Sequence, residues 1–439
     1  MTNSENKPTA PQTKASVDGV CVTIDRLSSE GDGVARLEDG RVVFVEGGLP
    51  GDRVELESVE ERKRFVRARI TRLETPSPDR VEPECAAFGV CGGCTWQHLA
   101  YEAQLEAKRV IVRDALARIG RIELDELPLI VASPSPYGYR ARAKFVEAPT
   151  GYGYRERSSR NVKVVDHCPV LVPAADAVLK ERVEECRAES ETKDSGNSND
   201  SSENGESKHA KMREWSVTAG STGPALVSRV RSRGKPRSVS IDLSGERLRV
   251  SSESFLQGNA LLWDALVESV TEACLLTESR VVGSEGDEPQ KTPLVTELYC
   301  GIGFFTIPLA RSGAKGWALE SDRSAVADLT YNLRRCGVTD RFEVLSGRVE
   351  TRGDLVQRLA AADVVLMDPP RIGLEESVRE ALRKAKPKRI VYLSCDPATL
   401  ARDLSEILQD GYSIASVELF DLFPQTPHVE TLIRLERSA

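Results

Sequence analysis

No stretch of the 439-residue chain offers about eighteen uncharged apolar residues in a row, so none reads as a membrane-spanning helix. The first twenty residues, MTNSENKPTAPQTKASVDGV, also lack the apolar h-region of a secretory leader, which makes the cytoplasm the expected location. Positive charge is not in excess either. With 60 Lys and Arg against 68 Asp and Glu, the formal net charge is −8, and affinity for nucleic acid would have to come from local patches. Ten cysteines in a large chain without a leader suit metal binding or catalysis better than disulfides. The length exceeds one ordinary domain and suits two or three with separate cores.

After a polar head at 1–16, expected to be disordered, residues 17–75 alternate short β-rich runs with Gly and Asp. This pattern predicts a small OB-like barrel of about five strands. Arg62, Lys63, Arg64, Arg67, Arg69 and Arg72 crowd its last run, and period-2 geometry is expected to put cations on both faces. The patch suits either a solvated edge strand or contact with phosphates. The segment resembles a TRAM domain, an RNA-binding module attached to several RNA-modifying enzymes.

Residues 76–250 form an expected β-rich central domain. Cys85, Cys91 and Cys94 have the spacing C-x5-C-x2-C within a Gly-rich loop, and Cys168 follows in DHCPV. Four thiolates suit tetrahedral zinc or a 4Fe-4S cluster. Paired C-x2-C knuckles, the usual zinc arrangement, are lacking, so iron-sulfur is favoured; C-x3-C-x2-C, the mark of radical chemistry, is lacking too, so a structural cluster is expected. Between these ligands Tyr137, Tyr139, Arg140, Arg142, Lys144 and Phe145, then Tyr152, Tyr154, Arg155, Arg157, Arg160 and Lys163, interleave rings with cations. Such strands can stack unpaired bases and neutralise phosphates, which predicts an RNA platform. The polar stretch 187–209 and a shorter one at 278–291 read as disordered insertions.

From 251 to 439 the expected unit is α/β, with strands and helices alternating from Pro293 as in a Rossmann-like, doubly wound sheet. ELYCGIG ends a strand in Gly301-Ile302-Gly303, a turn that lets a nucleotide-like ligand approach the backbone. The third Gly of an NAD turn is lacking, because Thr306 stands there, and the turn is closer to that of a methyltransferase. KGWALE ends at Glu320, placed to accept from ribose hydroxyls. MDPPRIG sets Asp368 at the end of another strand, with two prolines stiffening the exit. VYLSCDPATLARD delivers Cys395 to the same edge, just before an Asp-Pro helix start expected to lower its pKa. The tail brings His428 and Glu430 ahead of the last apolar run.

VYLSCDPATLARD, MDPPRIG, ELYCGIG, FLQGN at 255–259 and the terminal HVETL together resemble the RNA uracil-5-methyltransferase family, which uses S-adenosyl-L-methionine. The cysteine pattern and the TRAM-like barrel resemble the members acting on 23S ribosomal RNA (uracil-1939 type). The resemblance implies Cys395 as nucleophile, Glu430 as base, and Gln257, Tyr299, Gly301, Gly303, Phe304, Glu320 and Asp368 at the cofactor. It further implies a 4Fe-4S cluster on Cys85, Cys91, Cys94 and Cys168, ribosomal RNA as partner, no membrane, and no obligate protein partner. Asp396 replaces a frequent Asn, Phe304 stands where some members have Asn, and Arg348 in SGRVE occupies a position often polar or acidic. Other readings keep the chemistry on another rRNA uridine or tRNA, replace it with non-catalytic RNA binding by an iron-sulfur protein, or make the chain an NAD-dependent reductase.

Overall fold

The computed structural model describes residues 17–194, 213–230, 237–275 and 292–437. The expected head at 1–16 and the insertion at 278–291 lie outside the described residues, as does 195–209 of the longer insertion. The chain divides into two compact units, Met1–Val81 and Glu82–Ala439.

In the first unit, six strands run β1 (Cys21–Thr23), β2 (Arg26–Leu27), β3 (Gly33–Arg36), β4 (Val42–Glu46), β5 (Arg53–Glu61) and β6 (Phe65–Thr75). They form one curled sheet in the order β1-β5-β6-β4-β3-β2, antiparallel except between β4 and β6. The strand beyond the expected five is the two-residue β2. Val43, Val45, Val54, Leu56, Val66 and Ala68 alternate inward to make the core. One expectation is corrected here. The basic strand begins at Phe65, so Arg62, Lys63 and Arg64 precede it, and burial of Val66 and Ala68 sends Arg67 and Arg69 to one exposed face. That face is not bare charge: Arg69 pairs with Glu57 at 2.7 Å, Arg72 with Glu55 at 2.9 Å and Arg67 with Glu30 at 3.2 Å. Exposed pairs of this kind stabilise by at most about 1 kcal/mol each, but they offset the patch.

The second unit opens with α1 (Tyr101–Ala115) and β7 (Leu129–Val131). An antiparallel five-stranded sheet follows: β8 (Arg142–Ala148), β9 (Gly151–Arg155), β10 (Val162–Val164), then, after α2 (Pro173–Asp194), β11 (Glu214–Thr218) and β12 (Leu226–Arg229). Helix α2 continues to Asp194, so residues 187–194, expected in the disordered insertion, have helical backbone. The interleaved rings and cations separate by face. Tyr139 and Phe145 are buried, Phe145 meets Tyr154 edge-on at 5.3 Å, and the Tyr139 hydroxyl donates to the Pro424 carbonyl at 2.9 Å. Lys144, Arg155 and Arg160 are exposed. These rings are core, not stacking surface, because a half-buried sheet takes its apolar alternation inward.

A hairpin, β13 (Ser238–Leu243) and β14 (Glu246–Ser251), leads to α3 (Trp263–Leu275). The alternating segment then runs β15 (Leu294–Leu298), α4 (Thr306–Arg311), β16 (Lys315–Glu320), α5 (Arg323–Arg335), β17 (Phe342–Ser346), α6 (Leu355–Ala361) and β18 (Val364–Met367). It finishes with α7 (Glu376–Ala385), β19 (Arg389–Ser394), α8 (Pro397–Ile407), β20 (Tyr412–Phe420) and β21 (Glu430–Arg437). The sheet order is β17-β16-β15-β18-β19-β21-β20-β7, with β17 through β19 parallel and β21 antiparallel to both its neighbours. Successive residues feed opposite cores: Val364, Leu366, Val391 and Leu393 face α3 to α5, whereas Val365, Met367, Ile390 and Tyr392 face α6 to α8 and α1. This is the expected doubly wound, Rossmann-like sheet. Among the described residues no helix is long and apolar enough to cross a membrane.

Helix α1 is fastened to the segment following β20 by buried polar groups. Lys108, fully buried, pairs with buried Asp421 and donates to the Phe423 carbonyl at 3.1 Å, while the Tyr101 hydroxyl donates to Asp421 at 2.8 Å. Gln104 exchanges hydrogen bonds with Gln425 at 2.9 and 3.0 Å. Removing one member of a buried ion pair strands its partner's charge. Lys108→Met should therefore lower unfolding stability by about 3–5 kcal/mol, read as a lower urea midpoint, whereas a shift under 1 kcal/mol would contradict this role.

Candidate active site

Strand order reverses between β15 and β18, and the carboxyl ends there form the crevice where such sheets take ligands. After Leu298 the chain turns sharply, with φ of 63° at Tyr299, 55° at Gly301 and 88° at Gly303. A positive φ costs little for glycine but strains Tyr299, and strain of this kind collects at functional loops. The Tyr299 hydroxyl holds Glu350 at 3.0 Å. A Cβ on Gly303 would lie 2.6 Å from the Leu329 side chain, which would have to shift to admit it. Gln257, Tyr299, Gly301, Phe304 and Asp368 line one small cavity at this turn, together with Phe255 and Ile302.

Glu320 is bound to the backbone of the turn. One carboxylate oxygen accepts from the Gly301 amide at 3.0 Å, the other from the amides of Ser321 at 2.6 Å and Asp322 at 2.7 Å, and the residue does not line that cavity. It braces the turn. Phe304 is buried, edge-on to Trp263 and Phe305 at 6.2 and 5.2 Å. Arg348 pairs with Glu350 at 3.3 Å and Glu375 at 2.9 Å. Glu350, which therefore joins Tyr299 to Arg348, was missed in the sequence, where its only signal was an acid two residues beyond Arg348.

Catalytic candidates meet through strand register. Ser394 pairs with Thr431 across the antiparallel β19–β21 ladder, so Cys395, one step beyond, faces Glu430. Met367 pairs with Tyr392 on the other side, bringing Asp368 alongside. Asp368 accepts from the Gln257 amide at 2.9 Å, and burial pushes its carboxyl up to about 7, partly opposed by that bond. Glu430 is buried with one oxygen lacking any donor among the described residues; burial and the Asp368 charge push it well above the ordinary range. The expected Asp-Pro helix start is present, since Asp396 caps α8 by accepting from the Thr399 amide at 2.8 Å. The expected lowering of the thiol pKa is not. Burial, then Glu430 and Asp368, push Cys395 up to about 12, because two neighbouring carboxylates and lost hydration outweigh a helix end already capped by Asp396.

Beside this edge lies a cavity of about 640 Å³ whose lining includes Cys85, Cys91, Cys94, Cys168, Phe255, Phe423 and His428. The cysteine loop is pinned to the β9–β10 hairpin: the Gly92 amide donates to Arg155 at 3.0 Å and the Arg157 amide to Val90 at 3.1 Å. Cys168 is held by Asp176, which accepts from its amide at 2.8 Å. Burial pushes Cys94 up to about 12 and Cys168 to about 11. Among the described residues no three His, Cys, Asp or Glu side chains stand at the spacing of a single metal ion.

A family model described as tRNA (uracil-5-)-methyltransferase matches residues 246–438, and a TRAM domain model matches residues 19–71. An uncharacterized RNA methyltransferase of Gloeobacter violaceus is 33% identical over 98% of this chain and 99% of its own. A 23S rRNA (uracil(1939)-C(5))-methyltransferase RlmD of Halomonas elongata is 33% identical over 94% of this chain and 89% of its own. The chain belongs to the RNA uracil-5-methyltransferase family. Its first unit is a TRAM domain. The solved tRNA (uracil-54, C5)-methyltransferase of Pyrococcus abyssi, in complex with S-adenosyl-L-homocysteine, shares the fold at a TM-score of 0.70 and 24% identity, over 95% of this chain and all of that one.

One further buried acid of this uracil-5-methyltransferase sits on β15. Glu297 accepts from the Thr306 hydroxyl at 2.6 Å, its other oxygen has no donor among the described residues, and burial pushes it up to about 8. A carboxyl raised on folding supports stability at low pH and withdraws that support as pH rises from its ordinary value towards 8. Glu297→Gln should therefore melt near the wild type at pH 5 and higher by roughly 5 °C at pH 8.5; equal melting at both pH values would refute this.

Proposed function

We propose that this chain methylates C5 of a uridine in 23S ribosomal RNA, of the uracil-1939 type, with Cys395 as nucleophile, Glu430 as base and S-adenosyl-L-methionine as donor. The observation that carries the reading is the register placing Cys395 opposite buried Glu430, beside Asp368 and the Tyr299–Gly303 turn. The 33% identity to the Halomonas elongata enzyme along nearly the whole chain favours ribosomal RNA over the tRNA named for the Pyrococcus abyssi neighbour. A ribosomal RNA substrate would set the cytoplasm as the place of action.

Uracil C5 is a weak nucleophile, whereas C6 ends a conjugated carbonyl system and accepts a thiolate. The Cys395 sulfur bonds to C6, and the ring's π electrons move through C5 and C4 onto the carbonyl oxygen. Bound S-adenosyl-L-methionine supplies an electrophilic methyl, and its sulfonium charge favours the thiolate. With the methyl on C5, Glu430 takes the C5 proton, the C5–C6 double bond re-forms, and the thiolate leaves. Burial of Glu430, which raises its affinity for a proton, suits that role. Gln257, Tyr299, Gly301, Gly303, Phe304, Glu320 and Asp368 would hold the donor. The base must leave its stack to reach this edge.

Cys85, Cys91, Cys94 and Cys168 would hold a 4Fe-4S cluster. The reading rests on the C-x5-C-x2-C spacing with its remote fourth cysteine, and all four thiols line one cavity. Iron content with absorbance near 400 nm should be lost in Cys94→Ser; a protein isolated with stoichiometric zinc would overturn this ligand assignment.

RNA carrying 5-fluorouridine should trap a covalent adduct, because fluorine cannot be removed as a cation by Glu430. The adduct should be absent in Cys395→Ala. Glu430→Gln should methylate at least 100-fold more slowly while still forming adduct with ordinary uridine. Mapping 5-methyluridine in a deletion strain tests the substrate, and loss confined to tRNA would reject ribosomal RNA.

A further inference from the structure

Tyr299 opens the turn after β15 with a left-handed backbone, φ 63°, and lines the small cavity there with Gln257, Gly301 and Asp368. A residue other than glycine keeps such a conformation only where its surroundings hold it firmly. Its ring packs, partly buried, against the core that contains Leu298, Leu319 and Val349. Its hydroxyl donates to the Glu350 carboxylate at 3.0 Å, a bond strengthened by the charge on the acceptor. Glu350 lies in the short helical turn Val349–Thr351 that follows β17, and burial of Val349 fixes that turn to the same core. The other Glu350 oxygen accepts from exposed Arg348 at 3.3 Å, and Arg348 also donates to Glu375 at 2.9 Å. The chain Tyr299–Glu350–Arg348–Glu375 therefore ties together two segments, 299–304 and 368–375, that each give residues to the cavity.

Neither Glu350 nor Arg348 lines the cavity, so what they can set is the position of the Tyr299 ring. A ring free to turn about its side-chain bonds must be ordered when a ligand binds against it, and that ordering weakens binding; a ring already held does not incur the loss. We propose that Glu350 is a positioning residue for the methyl donor, acting through Tyr299: by accepting from the hydroxyl it fixes the ring as a wall of the cavity, and Arg348 holds Glu350 in turn. This rests on the cavity being the site of S-adenosyl-L-methionine in the proposed reaction.

The test measures binding of S-adenosyl-L-homocysteine, the donor without its methyl group, to the full chain by titration calorimetry, with urea midpoints taken alongside. Glu350→Ala removes the acceptor and Tyr299→Phe the hydroxyl, so each should raise Kd roughly three- to tenfold. The double variant should stay within about twofold of the weaker single one, because both changes break the same bond. Glu350→Gln keeps an acceptor oxygen and should bind within about twofold of wild type. An unchanged Kd in Glu350→Ala, or losses that multiply in the double variant, would overturn the proposal. Should Glu350→Ala fail to fold, Arg348→Ala at its exposed site carries the test: it should raise Kd about two- to fourfold alone and leave it unchanged beside Tyr299→Phe, and an equal loss in both backgrounds would overturn the proposal. A wild-type chain that binds no S-adenosyl-L-homocysteine would reject the donor assignment and this inference with it, whereas wild-type binding with multiplying or absent effects rejects this inference alone.

Discussion

The pairing of Ser394 with Thr431 across β19 and β21 is the constraint on which the site depends. Residues directly across an antiparallel ladder lie within side-chain reach, and those one step beyond the last pair inherit that proximity. Cys395 and Glu430 occupy those next positions, although they are far apart in sequence. A slip of one residue in either strand would reverse the inward and outward faces and turn Glu430 away from the sulfur. The buried alternation of Leu432, Ile433 and Leu435 between two cores forbids that slip, so hydrophobic packing keeps the Cys395 and Glu430 side chains together.

The same burial that fixes geometry makes the electrostatics unfavourable for a thiolate. Asp368, Glu430 and Cys395 share one poorly hydrated edge, and each neighbouring negative charge opposes the next ionisation. For Glu430 in the proposed role of base this is an advantage, since lost hydration raises its proton affinity. For Cys395 it is a cost that capping by Asp396 does not offset. The sulfonium charge of a bound donor would act in the direction that corrects it.

Around this edge the polar braces run over long distances in sequence. Glu320 closes the cofactor turn through the Gly301 amide, Asp328 and Asn332 of α5 hold β14 and the Ile302 carbonyl, and Lys108 with Asp421 anchors the approach to Glu430. Each satisfies buried groups that would otherwise be costly, and each orders a loop that carries a site residue. In the TRAM unit, by contrast, the exposed arginines are largely matched by glutamates of the neighbouring strand, which leaves little uncompensated charge on that face.

Local chemistry was legible where it depends on the next few residues. The strand ends at Tyr299, Asp368 and Cys395, the Asp396–Pro397 helix start, the glycine turn and the doubly wound alternation all follow from periodicity and turn residues, and the sequence determined them. Tertiary structure decided whatever needed a partner from elsewhere: that Tyr139 and Phe145 are core rather than stacking surface, that Glu320 grips backbone amides, that Glu350 joins Tyr299 to Arg348, and that the Cys395 thiol is raised rather than lowered. Burial and charge at a point are sums over residues brought together by folding, so a pattern along the chain names the groups while only their packing sets their ionisation.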